Sequence, residues 1–128
     1  MEEDRITADI IGCAIRVHKA LGPGLLESAY QIALESEFRK EKLKFKNQLS
    51  FPFVYDGIRT KKGYRIDFLI EERVVVEVKA VKQIQLIDHA QMNTYLRLLN
   101  CPVGLILNFN SMWMKNGIFR VVNPAFLL

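Results

Sequence analysis

The sequence predicts an α/β fold in which a mixed central sheet, an antiparallel meander plus a parallel strand, is flanked by helices. Three observations predict it. Apolar residues recur at helical spacing in two segments before residue 43. β-Rich runs separated by short polar turns then follow one another up to residue 80, the pattern of consecutive antiparallel strands. A third helical segment leads into a strongly apolar run at residues 103–108, and a strand reached through a helical crossover lies parallel to the one before it.

The first helix is expected over residues 4–21, with Ile6, Ile10, Cys13, Val17 and Leu21 on one face and Gly22-Pro23-Gly24 as its stop. His18, on the flank of that stripe, reads as a packed or hydrogen-bonded residue before it reads as a ligand. The second helix is expected after Gly24 and on to about residue 42, because Leu26, Tyr30, Leu34 and Phe38 recur at spacings of four. Glu27 near its start has a plain explanation in the preference of helix first turns for acidic side chains. On a helical wheel, however, it falls between Leu34 and Phe38 and extends the buried stripe, where a carboxylate needs a partner.

Residues 43–55 read as the first strand, with edge character at Pro52, and Asp56-Gly57 supplies a turn. Residues 64–70 and 74–80 flank Glu71-Glu72-Arg73 and form the central hairpin. Pairing Ile70 with Val74 puts Asp67 opposite Glu77. In that register Val74, Val76, Val78 and Ala80 share one face, while Glu77 and Lys79 point to the other. Val-Glu-Val-Lys alone is an ordinary strand with one solvated face. The opposed Asp67 changes its meaning, because like charges on side chains whose Cβ atoms lie roughly 4.5–5.5 Å apart are destabilising. A divalent cation between the carboxylates would offset the repulsion, and Mg²⁺ is held by one or two carboxylates plus water and phosphate oxygens.

A third helix is expected over residues 83–99, with Ile84, Ile87, Gln91, Tyr95 and Leu98 on its buried face. An amide in the middle of an apolar face is either a hydrogen-bonded core glutamine or a group placed for chemistry, and Tyr95 lies one turn later on the same side as Gln91. Asn100-Cys101-Pro102 breaks the helix, residues 103–108 form the parallel strand, and residues 118–122 add a short one. The apolar tail, residues 123–128, packs back on the domain or enters a dimer contact.

The chain has 128 residues, half of them hydrophobic and a quarter charged, which suits one soluble globular domain over residues 1–128. No apolar run approaches the ~20 residues needed to cross a bilayer, and the start lacks the basic segment of a signal peptide, so the expected location is cytoplasmic, with no membrane partner. Cys13 and Cys101 form no ligand pair with metal-site spacing and read as small buried residues. The net charge of +4 permits a polyanionic partner without requiring one. Basic clusters at residues 39–46 and at Arg59, Lys61, Lys62 and Arg65 are solvated faces or, beside a carboxylate cluster, holders of a phosphate backbone.

The order of elements and charged groups resembles the PD-(D/E)xK nuclease superfamily, and more narrowly its GxxExxY family. Gly24-Leu25-Leu26-Glu27-Ser28-Ala29-Tyr30 matches the GxxExxY pattern at its fixed positions, and Asp67 matches the first metal carboxylate. Glu77-Val78-Lys79 matches the ExK strand, and Gln91-Met92-Asn93-Thr94-Tyr95 matches the QxxxY signature of RecB-like exonucleases. Ile66 stands where the superfamily name has proline. The resemblance implies a restriction-endonuclease-like core and Mg²⁺ or Mn²⁺ on Asp67, Glu77 and a backbone carbonyl near Val78, with Glu27 assisting. It implies Lys79 as the group that orients water and stabilises phosphate charge, and Gln91 and Tyr95 as positioning groups.

The function expected is metal-dependent hydrolysis of phosphodiester bonds, with DNA as substrate and Lys61, Lys62, Arg65 and Tyr30 as nucleic-acid contacts. The alternative is a catalytically silent module on the same fold that binds nucleic acid or protein. With no separate DNA-reading element in the chain, selectivity is expected from a homodimer or a partner protein. RNA remains open as a substrate, since nothing here reads a 2′-hydroxyl.

Overall fold

A computed structural model describes residues 2–60 and 63–127. Helices α1 (Glu2–Leu21) and α2 (Glu27–Lys40) come first, then strand β1 (Phe45–Phe51) and a small hairpin of β2 (Val54–Tyr55) and β3 (Ile58–Arg59). Strands β4 (Tyr64–Ile70) and β5 (Val74–Lys79), helix α3 (Leu86–Leu99), and strands β6 (Val103–Asn108) and β7 (Ile118–Val122) complete the order. The main sheet has five strands in the order β1-β4-β5-β6-β7; only β5 and β6 are parallel among its pairs. This is the mixed α/β architecture that the sequence predicts.

Two apolar layers hold the sheet. On one side Ile6, Ile10, Cys13, Ala14 and Val17 of α1 and Tyr30, Leu34 and Phe38 of α2 pack on Phe68, Ile70, Val74, Val76 and Val78. On the other, Met92, Tyr95 and Leu96 of α3 pack on Ile66, Leu69, Val75 and Ile106. The central strand β5 is therefore covered on both faces, so the solvated face that an alternating Val-Glu-Val-Lys suggests does not exist. Glu77 and Lys79 point into the α3 layer and are half-buried.

Several sequence expectations need correction. Leu21 and Leu26 are exposed instead of completing the stripes of α1 and α2. Leu26 is the extended residue that precedes α2, because the chain from Gly22 to Leu26 is held as a loop. Tyr30 holds it: its hydroxyl donates to the Gly22 carbonyl at 2.6 Å and accepts from the Leu25 amide at 3.1 Å, while its ring stacks on Phe109. Fully buried, Tyr30 presents nothing to a nucleic acid, and that assignment fails. The strand expected over residues 43–55 ends at Phe51, since Pro52 offers no amide to a ladder. Asp56 and Gly57 then take positive φ values of 51° and 77°, the pattern of a two-residue hairpin turn, and add the β2–β3 hairpin.

The face of α3 also differs. Its buried residues are Met92, Tyr95 and Leu96, while Gln91 and Ile87 are exposed and Leu98 is 43% exposed. Gln91 is not a core amide. The helix begins at Leu86, later than expected, and approaches β6 closely enough that a Cβ on Gly104 would meet Met92 Sδ at 2.4 Å.

Tyr30→Phe keeps the ring but leaves the part-buried Gly22 carbonyl and Leu25 amide without their side-chain partner. It is expected to lower stability by about 0.5–1.5 kcal/mol in urea unfolding. An unchanged midpoint would show that the hydroxyl does not hold the loop.

Candidate active site

The hairpin register is the one the sequence implies: Ile70 pairs with Val74, Leu69 with Val75 and Phe68 with Val76, so the next rung brings Asp67 opposite Glu77. At that rung the regular pairing gives way to side chains. The Asp67 amide donates to Glu77 Oε1 at 3.0 Å, and the Val78 amide donates to Asp67 Oδ2 at 2.8 Å. Each carboxylate is thus oriented by the backbone of the opposite strand.

A second irregularity lies on the other side of Asp67. Rungs Asn47–Phe68 and Leu49–Ile66 place Gln48 opposite Asp67, and Gln48 has a φ of 49°, a left-handed conformation unusual for a residue other than glycine. Alternation fails across this rung. Phe45 and Phe68 belong to the α1–α2 layer, whereas Leu49 and Ile66 belong to the α3 layer. The Gln48 side chain lies close enough to Asp67 to oppose the rise of its pKa, and its Nε2 donates to Gln31 Oε1 of α2 at 3.0 Å. Propensity and spacing gave no warning of Gln48.

Lys79 follows Glu77 on the same face and lies 3.8 Å from Asp88 Oδ1. Asp88 was also missed by the sequence reading. Its other oxygen accepts from the Gln85 amide at 2.8 Å in the capping box that starts α3, so one side chain both starts that helix and tethers the lysine. A Gln-x-x-Asp pattern ahead of an apolar run was the available signal.

The other expected residues divide. Tyr95 is buried, and the charges of Glu77 and Asp67 act on its hydroxyl. Glu27 is exposed at the start of α2 instead of lying in the buried stripe, yet its charge still acts on Glu77. Val78 supplies its amide to Asp67, and its side chain belongs to the core. Arg65 is exposed two residues before Asp67, and its charge opposes part of the rise that burial imposes on that carboxyl's pKa. Gln91 is exposed one turn before Tyr95. Lys61 and Lys62 lie outside the described residues. The most voluminous of the cavities described lies on α1 and the β6–β7 loop and does not include the carboxylates.

A family model of the PD-(D/E)XK nuclease superfamily matches residues 4–121. The chain belongs to this superfamily. A solved structure, the crystal structure of SSO0001, shares the fold at a TM-score of 0.56 with 18% identity, over 75% of this chain and 49% of that one. The chain thus spans about half the length of that protein. No protein of curated function matches it.

PD-(D/E)XK nucleases generally use divalent metals, and the donor set here fits one. Burial raises the pKa of Asp67, opposed by the Val78 amide and the Lys79 charge. Burial and then the Asp67 charge push Glu77 from the ordinary 4.5 up to about 8. Two desolvated carboxyls that resist ionising together are what a cation would relieve. Among the described residues no three His, Cys, Asp or Glu side chains converge, so Glu27 does not complete a protein cage. Two carboxylates with water and substrate oxygens still suit Mg²⁺. Among the same residues, no helix is long and apolar enough to cross a membrane.

The pair sets a pH dependence for the metal-free protein. Between 4.5 and about 8 the folded state holds a proton on Glu77 that the unfolded chain has lost. The contribution of this group is therefore full below 4.5 and is lost as pH rises through about 8. In chelator, the thermal midpoint should fall across this window, and Glu77→Gln should flatten the fall. A midpoint equally steep in the variant would place the titration elsewhere.

Proposed function

We propose that this chain is a metal-dependent phosphodiesterase of the GxxExxY family that hydrolyses DNA. The observation that carries the reading is the orientation of Asp67 and Glu77 by each other's strands, with Lys79 next on the same face. Asp67, Glu77 and the Val78 carbonyl would hold Mg²⁺ or Mn²⁺. The chemistry a bound cation supplies is polarisation of the phosphate and a lowered pKa for water. Lys79 donates to a phosphate oxygen and stabilises charge that grows in the transition state. Asp88 restrains the ammonium until a phosphate competes for it. Arg65, exposed on β4, offsets the repulsion between the carboxylates and a polyanionic backbone. Tyr95 and Gln91, one helical turn apart, flank the site from α3.

A second reading, a silent binding module on the same fold, has the absence of a third converging side-chain ligand among the described residues in its favour. Retention of Asp67, Glu77 and Lys79 together favours the enzyme, because binding alone does not need all three.

A cleavage assay on end-labelled linear, circular and single-stranded DNA with Mg²⁺, Mn²⁺ or chelator separates the two. Lys79→Ala is expected to lower turnover by roughly 10²–10³, with much less change in DNA affinity. Asp67→Asn should abolish stabilisation of the fold by Mn²⁺. Metal-dependent DNA binding without cleavage of any form, unchanged in Lys79→Ala, would establish the binding module instead.

A further inference from the structure

The β6–β7 loop and the end of α1 border an open cavity of about 890 Å³ that the carboxylate site does not use. Its apolar wall is Ile15, Met112 and Trp113, all well exposed, with Trp113 at 68%. Lys19 and Lys115 stand among the lining residues, and among the described residues no carboxylate does. Tryptophan and methionine left facing water cost solvation free energy unless something covers them.

The frame beneath this wall is fixed. The Ser111 carbonyl accepts from His18 Nε2 at 2.7 Å, and since a carbonyl only accepts, His18 carries its proton on that nitrogen. Phe109 stacks on Tyr30 with ring centroids 4.5 Å apart, and its amide donates to the Lys79 carbonyl at 2.9 Å. The turn Met114–Gly117 is locked too, because a Cβ on Gly117 would meet the Asn108 carbonyl oxygen at 2.2 Å. Trp113 is thus presented on a scaffold that is hydrogen-bonded to the strand end carrying Lys79. Lys79 and Asn108 are parallel partners, so the cavity lies at the same end of the strands as the candidate active site. It is on the α1 side of the sheet, whereas Glu77 and Lys79 face the α3 side, and a nucleic-acid strand reaching both would pass around that end.

We propose that this cavity binds an unpaired segment of the nucleic-acid substrate, with a base stacked on Trp113 and flanking phosphates on Lys19 and Lys115. The inference rests on the nuclease reading and names the form of substrate: single-stranded, or a duplex with a frayed or overhanging end. An indole face suits any base, and two lysines without a competing carboxylate suit the backbone, so the pocket accepts single strands with little regard to sequence. A paired base, stacked on both sides within a duplex, has no free face to offer.

Trp113 is the one tryptophan of the chain, so its emission reports the pocket directly. Asp67→Asn protein in chelator, which blocks cleavage, is titrated with a single-stranded thymidine oligonucleotide, a blunt duplex of equal length, and an abasic oligomer of equal charge. The single strand should quench Trp113 and bind roughly tenfold or more tightly than the abasic oligomer. By anisotropy of a labelled oligonucleotide, Trp113→Ala should lose that margin and Trp113→Phe keep most of it. Lys19→Ala with Lys115→Ala should reduce the salt slope of binding by about 1.4.

Absence of quenching, or equal binding of the abasic oligomer, overturns the proposal, and so does quenching by the blunt duplex as strong as by the single strand. Cleavage by the native protein without such quenching would leave the nuclease reading standing and remove the pocket. Quenching with the expected margin, and no cleavage of any substrate, would keep the pocket and remove the nuclease.

Discussion

Two carboxylates lie side by side on the central hairpin of a sheet whose middle strand is covered on both faces. That placement is the constraint around which the hairpin is built. A buried acid pair without compensation would be expelled to the surface or neutralised. Here the backbone compensates in part: at the rung where ladder hydrogen bonds should continue, the amides of Asp67 and of Val78, the residue after Glu77, go to the side chains instead. Opening the ladder is tolerable because the neighbouring rungs, Phe68–Val76 to Ile70–Val74, are sealed among apolar residues of both layers. The apolar half of the hairpin anchors the polar half.

The helices serve the same rung from different directions. The first turn of α3 carries Asp88, which accepts from the Gln85 amide in the capping box and holds Lys79. α2 reaches the rung through Gln31 and Gln48. The GxxExxY segment divides its labour in this chain. Its tyrosine is a peg inside the core that fixes the preceding loop, and its glutamate remains exposed at the helix start. A side chain in a short motif can thus be structural while its neighbour in the motif stays at the surface.

The hairpin was legible in the sequence because two local rules overdetermine it: strand alternation and a three-residue polar break fix its register, and the register fixes the acid pair. Stripe ends were less legible. Helical spacing carried through Leu26 and Leu21, but Leu26 lies in a hydrogen-bonded loop and Leu21, at the very end of α1, is exposed beside it. On α3, Gln91 fits a spacing of four with Ile87 and Tyr95, while Met92, Tyr95 and Leu96 fit almost as well; only the position of the sheet chooses between them. Asp88 and Gln48 act through contacts between elements distant in the chain, to which periodicity is blind. The burial of β5 on both sides likewise depended on where α3 docks.

Gln48 also carries a lesson for anyone remaking this scaffold. A left-handed backbone on a non-glycine residue costs about 1–2 kcal/mol, and glycine at this position would recover much of it. The same exchange would remove the amide that stands opposite Asp67 and donates to Gln31 of α2. A screen for thermostability alone would therefore enrich a change on the rung that carries the acid pair. The strained position and the acid pair share one rung, so the least robust point of the sheet is also its most polar one.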